Sequence, residues 1–128
     1  MKKNCSGGKY FIKSAGFHTN TDRECEPGYL KILNQSGHDL TNHRSKLINK
    51  SDILWADIIV IMDRYNWDLL NKMDRDCGKK TVWIGAFSNN NSVEIMDPYN
   101  KGQIFTNKVV AEIENCVIDI CKVLSQPR

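Results

Sequence analysis

Residues 57–62 decide the fold of this chain, and they read Asp57-Ile58-Ile59-Val60-Ile61-Met62. A short and nearly continuous apolar run is typical of a strand that is covered on both faces, as in a parallel sheet. Two further strand patterns lie on either side of it, one at residues 9–13 and a weaker one at residues 80–85. We therefore expect a mostly parallel sheet at the centre of the fold.

Helical patterns separate these strands. Pro27 suits a first helical turn and Gly37 suits a helix stop, and apolar residues recur between them with helical spacing. Similar patterns occur over residues 51–54, 64–73 and 107–124. Strands that alternate with helices predict a three-layer α/β fold in which helices flank the sheet. We expect residues 1–128 to form one domain, with a flexible tail at residues 1–8.

The charge of the chain is mild, at +3, and its basic residues are scattered among acidic neighbours. This balance does not predict a nucleic-acid partner. No apolar stretch approaches the roughly 20 residues that span a bilayer, and no apolar segment of a secretion signal opens the chain. We therefore expect a cytoplasmic protein with reduced thiols that binds neither nucleic acid nor membranes.

The cysteines and histidines do not predict a metal site. The five cysteines include no CxxC pair, and the three histidines have no spacing typical of zinc ligands. We expect the protein to hold no metal and no cofactor.

Four short segments match one protein family, in the same order along the chain. They are Ser14-Ala15-Gly16, then Gly37-His38-Asp39-Leu40 leading into Asn42-His43-Arg44-Ser45-Lys46, then residues 56–63, and finally Asp97-Pro98-Tyr99. Each segment alone is a weak signal, but four of them in order are fairly specific. From about residue 10 to its end, the chain resembles the low-molecular-weight protein tyrosine phosphatases.

The resemblance implies a parallel sheet flanked by helices, with a phosphate-binding loop that ends at a helix N-terminus. In that family a cysteine thiolate attacks phosphorus, and an arginine of the same loop holds the phosphoryl oxygens. An aspartic acid before Pro-Tyr protonates the leaving oxygen and then activates water. By resemblance, Asp97 matches this general acid, Tyr99 matches an aromatic wall of the pocket, and Asp63 matches an aspartate beside the phosphate loop.

The chain departs from the family at the nucleophile. The residues six positions after its cysteines are Phe11, Lys31, Trp83, Lys122 and Pro127, and none of them is arginine. Only 13 residues precede Ser14, so we expect the family's first strand, phosphate loop and first helix to be absent. That strand lies inside the family's sheet. Its absence predicts a sheet reduced to three or four strands, in which the flanking strands pair directly or a second chain donates a strand. We also expect exposed apolar surface that a second copy or another protein covers.

Cys5 is the cysteine nearest to the expected place of the nucleophile, and the backbone amides of residues 6–8 could form a small anion site. Lys9 could supply charge there, but it cannot make the two-pronged contact of an arginine. The alternative, an incidental cysteine in a flexible tail, is favoured. Cys25 has Lys31 six residues later, and we interpret this spacing as chance.

Asp63 and Asn66 follow the central strand at its carboxyl end, where ligands gather in parallel sheets. We expect them, together with Tyr99, to line the substrate-binding part of the pocket. A helix cap explains Asp63 equally well, because aspartate is a favoured residue at helix starts.

Two functions remain open. The favoured one is a degenerate, non-catalytic member that acts as a binding or regulatory module for a protein partner, a second copy or a phosphate-like anion. The alternative is an active phosphatase on phosphotyrosine or another phosphomonoester, with Asp97 as general acid and a nucleophile that is atypical or supplied by a partner chain. Arsenate reductases of one class share the scaffold, but they need the cysteine loop too.

Overall fold

The computed structural model of the protein describes residues 10–87, 93–99 and 101–124. Its elements are α1 (Pro27–Gln35), α2 (Lys50–Trp55), β1 (Ile59–Ile61), α3 (Arg64–Met73), β2 (Thr81–Trp83) and α4 (Gln103–Leu124). Two short 3-10 turns, Cys77–Lys80 and Ile84–Phe87, flank β2. The tail expected at residues 1–8, which contains Cys5, lies outside the described residues.

The described sheet consists of β1 and β2, which run parallel with Ile59 opposite Thr81 and Ile61 opposite Trp83. The expected α/β class and the reduced parallel sheet are confirmed. The described part of the sheet has two strands rather than the three or four expected. The strand predicted at residues 9–13 accounts for the difference. Residues 10–13 belong to no described strand, because no described backbone pairs with them, and unpaired backbone groups do not hold a strand.

The segment around residues 10–16 is held by single contacts instead of a ladder. The Gly16 amide donates to the Lys46 carbonyl at 2.8 Å, and the Ile48 amide donates to the Gly16 carbonyl at 2.9 Å. Further back, the Tyr10 hydroxyl donates to the Leu124 carbonyl at 2.9 Å. The segment therefore lies against the body of the protein without joining its sheet.

Local signals agree with the starts of α1 and α2, whereas α4 begins at Gln103 rather than at the expected residue 107. Pro27 occupies the first turn of α1, as expected. At α2, the Asn49 side chain accepts from the Asp52 amide at 2.8 Å, and the Asp52 carboxylate accepts from the Asn49 amide at 3.1 Å. This reciprocal pair is a capping box, which satisfies two amide groups that the first turn leaves without partners.

Two apolar clusters hold the layers together. The cluster under α4 is formed by Ile84, Ile95, Val109, Cys116, Val117 and Cys121. The cluster between the sheet, α2 and α3 is formed by Ile53, Ile61, Leu70 and Cys77. Trp67 and Trp83 pack against the second cluster, with ring centroids 5.9 Å apart. Burial of these side chains is the main source of stability, because apolar surface leaves water.

The four cysteines within the described residues divide into two groups. Cys25, Cys77 and Cys116 are free thiols, whereas Cys121 is disulfide-bonded. The expectation of reduced thiols is therefore wrong for Cys121, because spacing along a sequence does not show which sulfur atoms meet in space. None of the described helices is long and apolar enough to cross a membrane.

Candidate functional site

The carboxyl end of β1 carries the first group of predicted site residues. Asp63 caps α3, because its carboxylate accepts from the Asn66 amide at 2.9 Å. The Asn66 side chain in turn accepts from the Met62 amide at 3.1 Å. The capping role foreseen for Asp63 is thus present. Both side chains are fixed at the strand end by the backbone of their own turn.

Residues 93–99 bring the Asp-Pro-Tyr segment to the same place. The Ile95 amide donates to the Met62 carbonyl at 2.8 Å, and the Arg64 amide donates to a Glu94 carboxylate oxygen at 2.7 Å. Beyond these contacts the Asp97 carboxylate accepts from the Tyr99 amide at 3.0 Å, which closes an Asx turn. The turn holds the Asp97 side chain close to its own backbone.

These elements, α1 and α4 border an open cleft of about 390 Å³, here called the Asp97 cleft. Its lining residues are Cys25, Tyr29, Leu33, Met62, Asp63, Asn66, Ile95, Met96, Asp97, Pro98, Thr106, Val109, Val110 and Ile113. The structure therefore brings Asp63, Asn66 and Asp97 together. Tyr99 is not among the lining residues and is 60% exposed.

The Asp97 cleft is lined mostly by apolar side chains, and its charged groups are acidic. Two carboxylates, those of Asp63 and Asp97, line it, and no lysine, arginine or histidine of the described residues does. Asn66 and Thr106 are the neutral polar side chains of the lining. Such a lining favours an apolar or positively charged group over an anion, because like charges at short range repel.

Cys25 and Tyr29 are lining residues whose place in the cleft the sequence did not reveal. Burial, assisted by the negative charge of Glu26, raises the pKa of the Cys25 thiol. Burial also raises the pKa of the Tyr29 hydroxyl, with smaller contributions from Glu26 and Asp97. The position of Cys25 just before α1 is a sequence feature that could have indicated its place in the cleft. Ligands in α/β folds bind at the carboxyl edge of the sheet, which the starts of the following helices border.

The chemistry available in the cleft is proton transfer without an activated nucleophile. Asp97 is a group that can donate or accept a proton. The thiol of Cys25 is held in its neutral form, and a neutral thiol is a poor nucleophile. Cys77 and Cys116 are buried away from the cleft. Within residues 10–87, 93–99 and 101–124, no group of three or more His, Cys, Asp or Glu side chains is arranged to hold a metal ion.

The fold is a parallel α/β fold in which residues 93–99, with Asp97-Pro98-Tyr99, lie beside the carboxyl end of β1, as in a phosphatase-like protein. The chain belongs to the family described as low molecular weight phosphotyrosine protein phosphatase, whose sequence pattern matches residues 4–127. No curated protein sequence matches the chain significantly.

Solved phosphatase structures share the fold. The tyrosine phosphatase Wzb from Escherichia coli K30, in complex with sulphate, aligns with a TM-score of 0.86 and 19% identity, covering 97% of this chain and 84% of Wzb. A protein tyrosine phosphatase from Entamoeba histolytica aligns with a TM-score of 0.85 and 22% identity, and the alignment covers 96% of this chain and 83% of that protein. The YwlE arginine phosphatase from Geobacillus stearothermophilus aligns with a TM-score of 0.83 and 21% identity, and the alignment covers 95% of this chain and 79% of YwlE.

Proposed function

We propose that the protein is a degenerate, non-catalytic member of its family that acts as a binding or regulatory module. The observation that carries this proposal is the charge of the Asp97 cleft. Asp63 and Asp97 line it, and no cationic side chain of the described residues offsets them. A phosphoryl group would enter against two carboxylates without the arginine that normally holds its oxygens, so the cleft does not favour phosphate.

The thiols support the same conclusion. No cysteine of this chain is followed by an arginine six residues later. Cys25 is the described cysteine that shares the cleft with Asp97, and its raised thiol pKa keeps the thiolate scarce near neutral pH. Since the thiolate is the nucleophile in cysteine chemistry, this residue is not prepared for attack on phosphorus.

The lining indicates what the cleft would accept. Most of the side chains that surround Asp63 and Asp97 are apolar. A ligand with an apolar stem and a cationic end matches both properties, because its stem leaves water while its charge meets a carboxylate. A lysine or arginine side chain of a protein partner has this chemistry. We therefore propose a protein partner that inserts such a side chain.

The alternative remains an active phosphatase on phosphotyrosine or another phosphomonoester. Asp97, Asp63 and Asn66 lie around one cleft, which is the arrangement that a general acid beside a substrate pocket requires. In this alternative the nucleophile is Cys5, Cys25 or a residue of a partner chain.

Hydrolysis of p-nitrophenyl phosphate separates the two functions. We expect the full chain to give no turnover above buffer, with Asp97→Asn indistinguishable from it. Asp57→Asn is the matched control, because it makes the same acid-to-amide change at an exposed position outside the cleft. Turnover that Asp97→Asn abolishes and Asp57→Asn retains would establish the active phosphatase. Its loss in Cys5→Ser or Cys25→Ser would then identify the nucleophile.

A further inference from the structure

A second pocket of about 180 Å³ lies among three chain segments that share no residue with the Asp97 cleft. Its lining consists of Ser14, Ala15, Gly16, His18, Arg23, His43, Ser45 and Lys46, and it is here called the basic pocket. No aspartate or glutamate is among these lining residues. The charge character of the basic pocket is therefore opposite to that of the Asp97 cleft.

Backbone contacts fix the geometry of the basic pocket. Gly16 is joined to Lys46 by an amide-to-carbonyl hydrogen bond of 2.8 Å. Ser45 donates its amide to the Arg23 carbonyl at 3.0 Å, and its hydroxyl oxygen accepts from the Arg23 amide at 2.9 Å. The Asp22 amide donates to the Ser45 carbonyl at 2.8 Å. The three segments are thus tied to one another, and the pocket is a fixed feature of the fold.

Arg23 provides the main positive charge of the basic pocket. Its Nε donates to the Asn20 carbonyl at 2.7 Å, which fixes the plane of the guanidinium group. Its two terminal amino groups have no hydrogen-bond partner among the described residues. Lys46 adds a second charge, which it shares with Asp52 at 2.9 Å. An arginine fork that is already oriented can hold two oxygens of an anion at once.

The other polar side chains are also arranged as donors. His18 Nδ1 accepts from the Asn20 amide at 3.0 Å, so a neutral His18 ring carries its proton on Nε2 and can donate from there. The Ser45 oxygen already accepts from Arg23, which leaves its hydroxyl proton available. Ser14 and His43 add a further hydroxyl and imidazole. Most of these groups offer protons, and an oxyanion offers only acceptors.

We propose that the basic pocket binds a phosphate group, as free phosphate or as the end of a phosphorylated side chain. A tetrahedral oxyanion presents several acceptor oxygens, and the pocket presents the guanidinium of Arg23, the ammonium of Lys46 and neutral donors around them. The site does not depend on the proposed function of the Asp97 cleft, because the two share no residue. In this protein, phosphate recognition lies beside the Ser-Ala-Gly segment.

Titration of the full chain with inorganic phosphate, followed by amide NMR shifts, tests the proposal. We expect the largest shifts at Gly16, His18 and Ser45. Arg23→Gln should weaken binding about tenfold, the usual effect of losing a charge-assisted contact. Arg75→Gln is the matched control, because it removes one exposed positive charge outside the pocket and should leave the affinity unchanged. Arg23→Lys should recover part of the affinity at most, because a lysine has no fork.

Two outcomes would overturn the proposal. One is that Arg23→Gln and Arg75→Gln lower the affinity for phosphate equally, which would mean that only the overall positive charge of the protein attracts the anion. The other is a shift pattern centred on Asp97, or no saturable shifts while the wild-type chain remains folded.

The source of the phosphate follows from a second arm of the experiment. Tighter binding of a phosphoserine peptide than of inorganic phosphate would assign a phosphorylated side chain, and equal binding would assign the free ion.

Discussion

At Cys25, the thiol shares a cleft with a carboxylate that resembles a general acid, yet its surroundings work against reactivity. Burial and the charge of Glu26 both disfavour the thiolate. Phosphatase chemistry needs the opposite environment, in which positive charge or a helix N-terminus stabilises the anion. Cys25 precedes α1, but Glu26 between them contributes negative charge. The residue is therefore better suited to lining a binding cleft than to attacking phosphorus.

This leads to a prediction about the pH dependence of thiol alkylation. A raised pKa means that the folded protein keeps Cys25 protonated above the ordinary value of 9.0. The rate of its reaction with iodoacetamide should therefore reach its midpoint above that pH, and the unfolded chain should react with a lower midpoint. Peptide mapping by mass spectrometry measures the rate at this site, and Cys25→Ser serves as the blank. A midpoint well below 9.0 would show that the surroundings of Cys25 stabilise its thiolate instead.

A second prediction concerns the acidic lining of the Asp97 cleft. Benzylamine combines an apolar ring with a cation, and it should shift the amide signals of Ile95 and Val109, which line the cleft. Benzyl alcohol is the matched neutral probe and should bind more weakly. Asp97→Asn should reduce the affinity for benzylamine several-fold, because this substitution removes one of the two carboxylates of the cleft. Asp57→Asn is the control and should leave the affinity unchanged. Equal binding of amine and alcohol would show that charge plays no part.

At this scale the sequence predicted the site in part. Asp63 and Asn66 were expected at the carboxyl end of the central strand, and Asp97 was matched to the family's general acid by resemblance. The structure brings the three residues together around one cleft. Their functional roles stay predictions. Cys25 and Tyr29 were not foreseen in the cleft, because the path of the chain before a helix depends on long-range packing.

At the scale of elements, α2 is a short helix whose start is strongly determined. The capping box of Asn49 and Asp52 satisfies backbone groups, and Ile53 is fully buried in the cluster with Leu70. The helix spans six residues, too few to be stable by propensity alone. Its formation therefore depends on the cap and on burial of Ile53 together.

The cap gives a prediction for stability. Asn49→Ala removes the side-chain acceptor for the Asp52 amide and should lower the free energy of unfolding by about 1 kcal/mol. Asn42→Ala is the control, because Asn42 is an exposed residue outside any helix. Urea unfolding of both variants measures the difference. Equal stability of the two variants would mean that the box contributes nothing beyond solvation.

Most helices and two strands of the fold could be predicted because their signals are local. The predicted helix at residues 64–73 coincides with α3, and the pattern from Pro27 gives α1. Caps and apolar periodicity act within a few residues. The failure at residues 10–13 has the opposite cause. Residues 10–13 have the sequence pattern of a strand, but a strand also needs a neighbouring strand to pair with, and the local sequence does not show whether one is present.

At the scale of the whole molecule, one side of the sheet lacks cover among the described residues. Ile58, Val60 and Met62 are exposed, and Val60 retains 46% of its surface. A nearly continuous apolar run is expected to be covered on both faces, and β1 pairs only with β2 in the described part of the chain. No charged residue interrupts the run from Ile58 to Met62, so nothing in it opposes packing of this exposed apolar face against the same face of a second copy.

We therefore predict that the chain forms a dimer through the exposed side of β1. Light scattering coupled to size-exclusion chromatography should give twice the 14.7 kDa chain mass. Val60→Lys should shift the equilibrium to the monomer, because it places a charge on the strand. Val123→Lys is the control, since Val123 is also an exposed valine but lies at the end of α4. A wild-type monomer would leave a different protein as the occupant of this surface.

If this family member does not perform phosphoryl transfer, its cysteines form no covalent phosphoryl intermediate. The measurement is the intact mass of the full chain, quenched in acid after brief incubation with a phosphotyrosine peptide. We expect the unmodified mass for the wild-type chain and for Asp97→Asn. A species heavier by one phosphoryl group, and absent when the cysteine that carries it is changed to serine, would contradict this expectation.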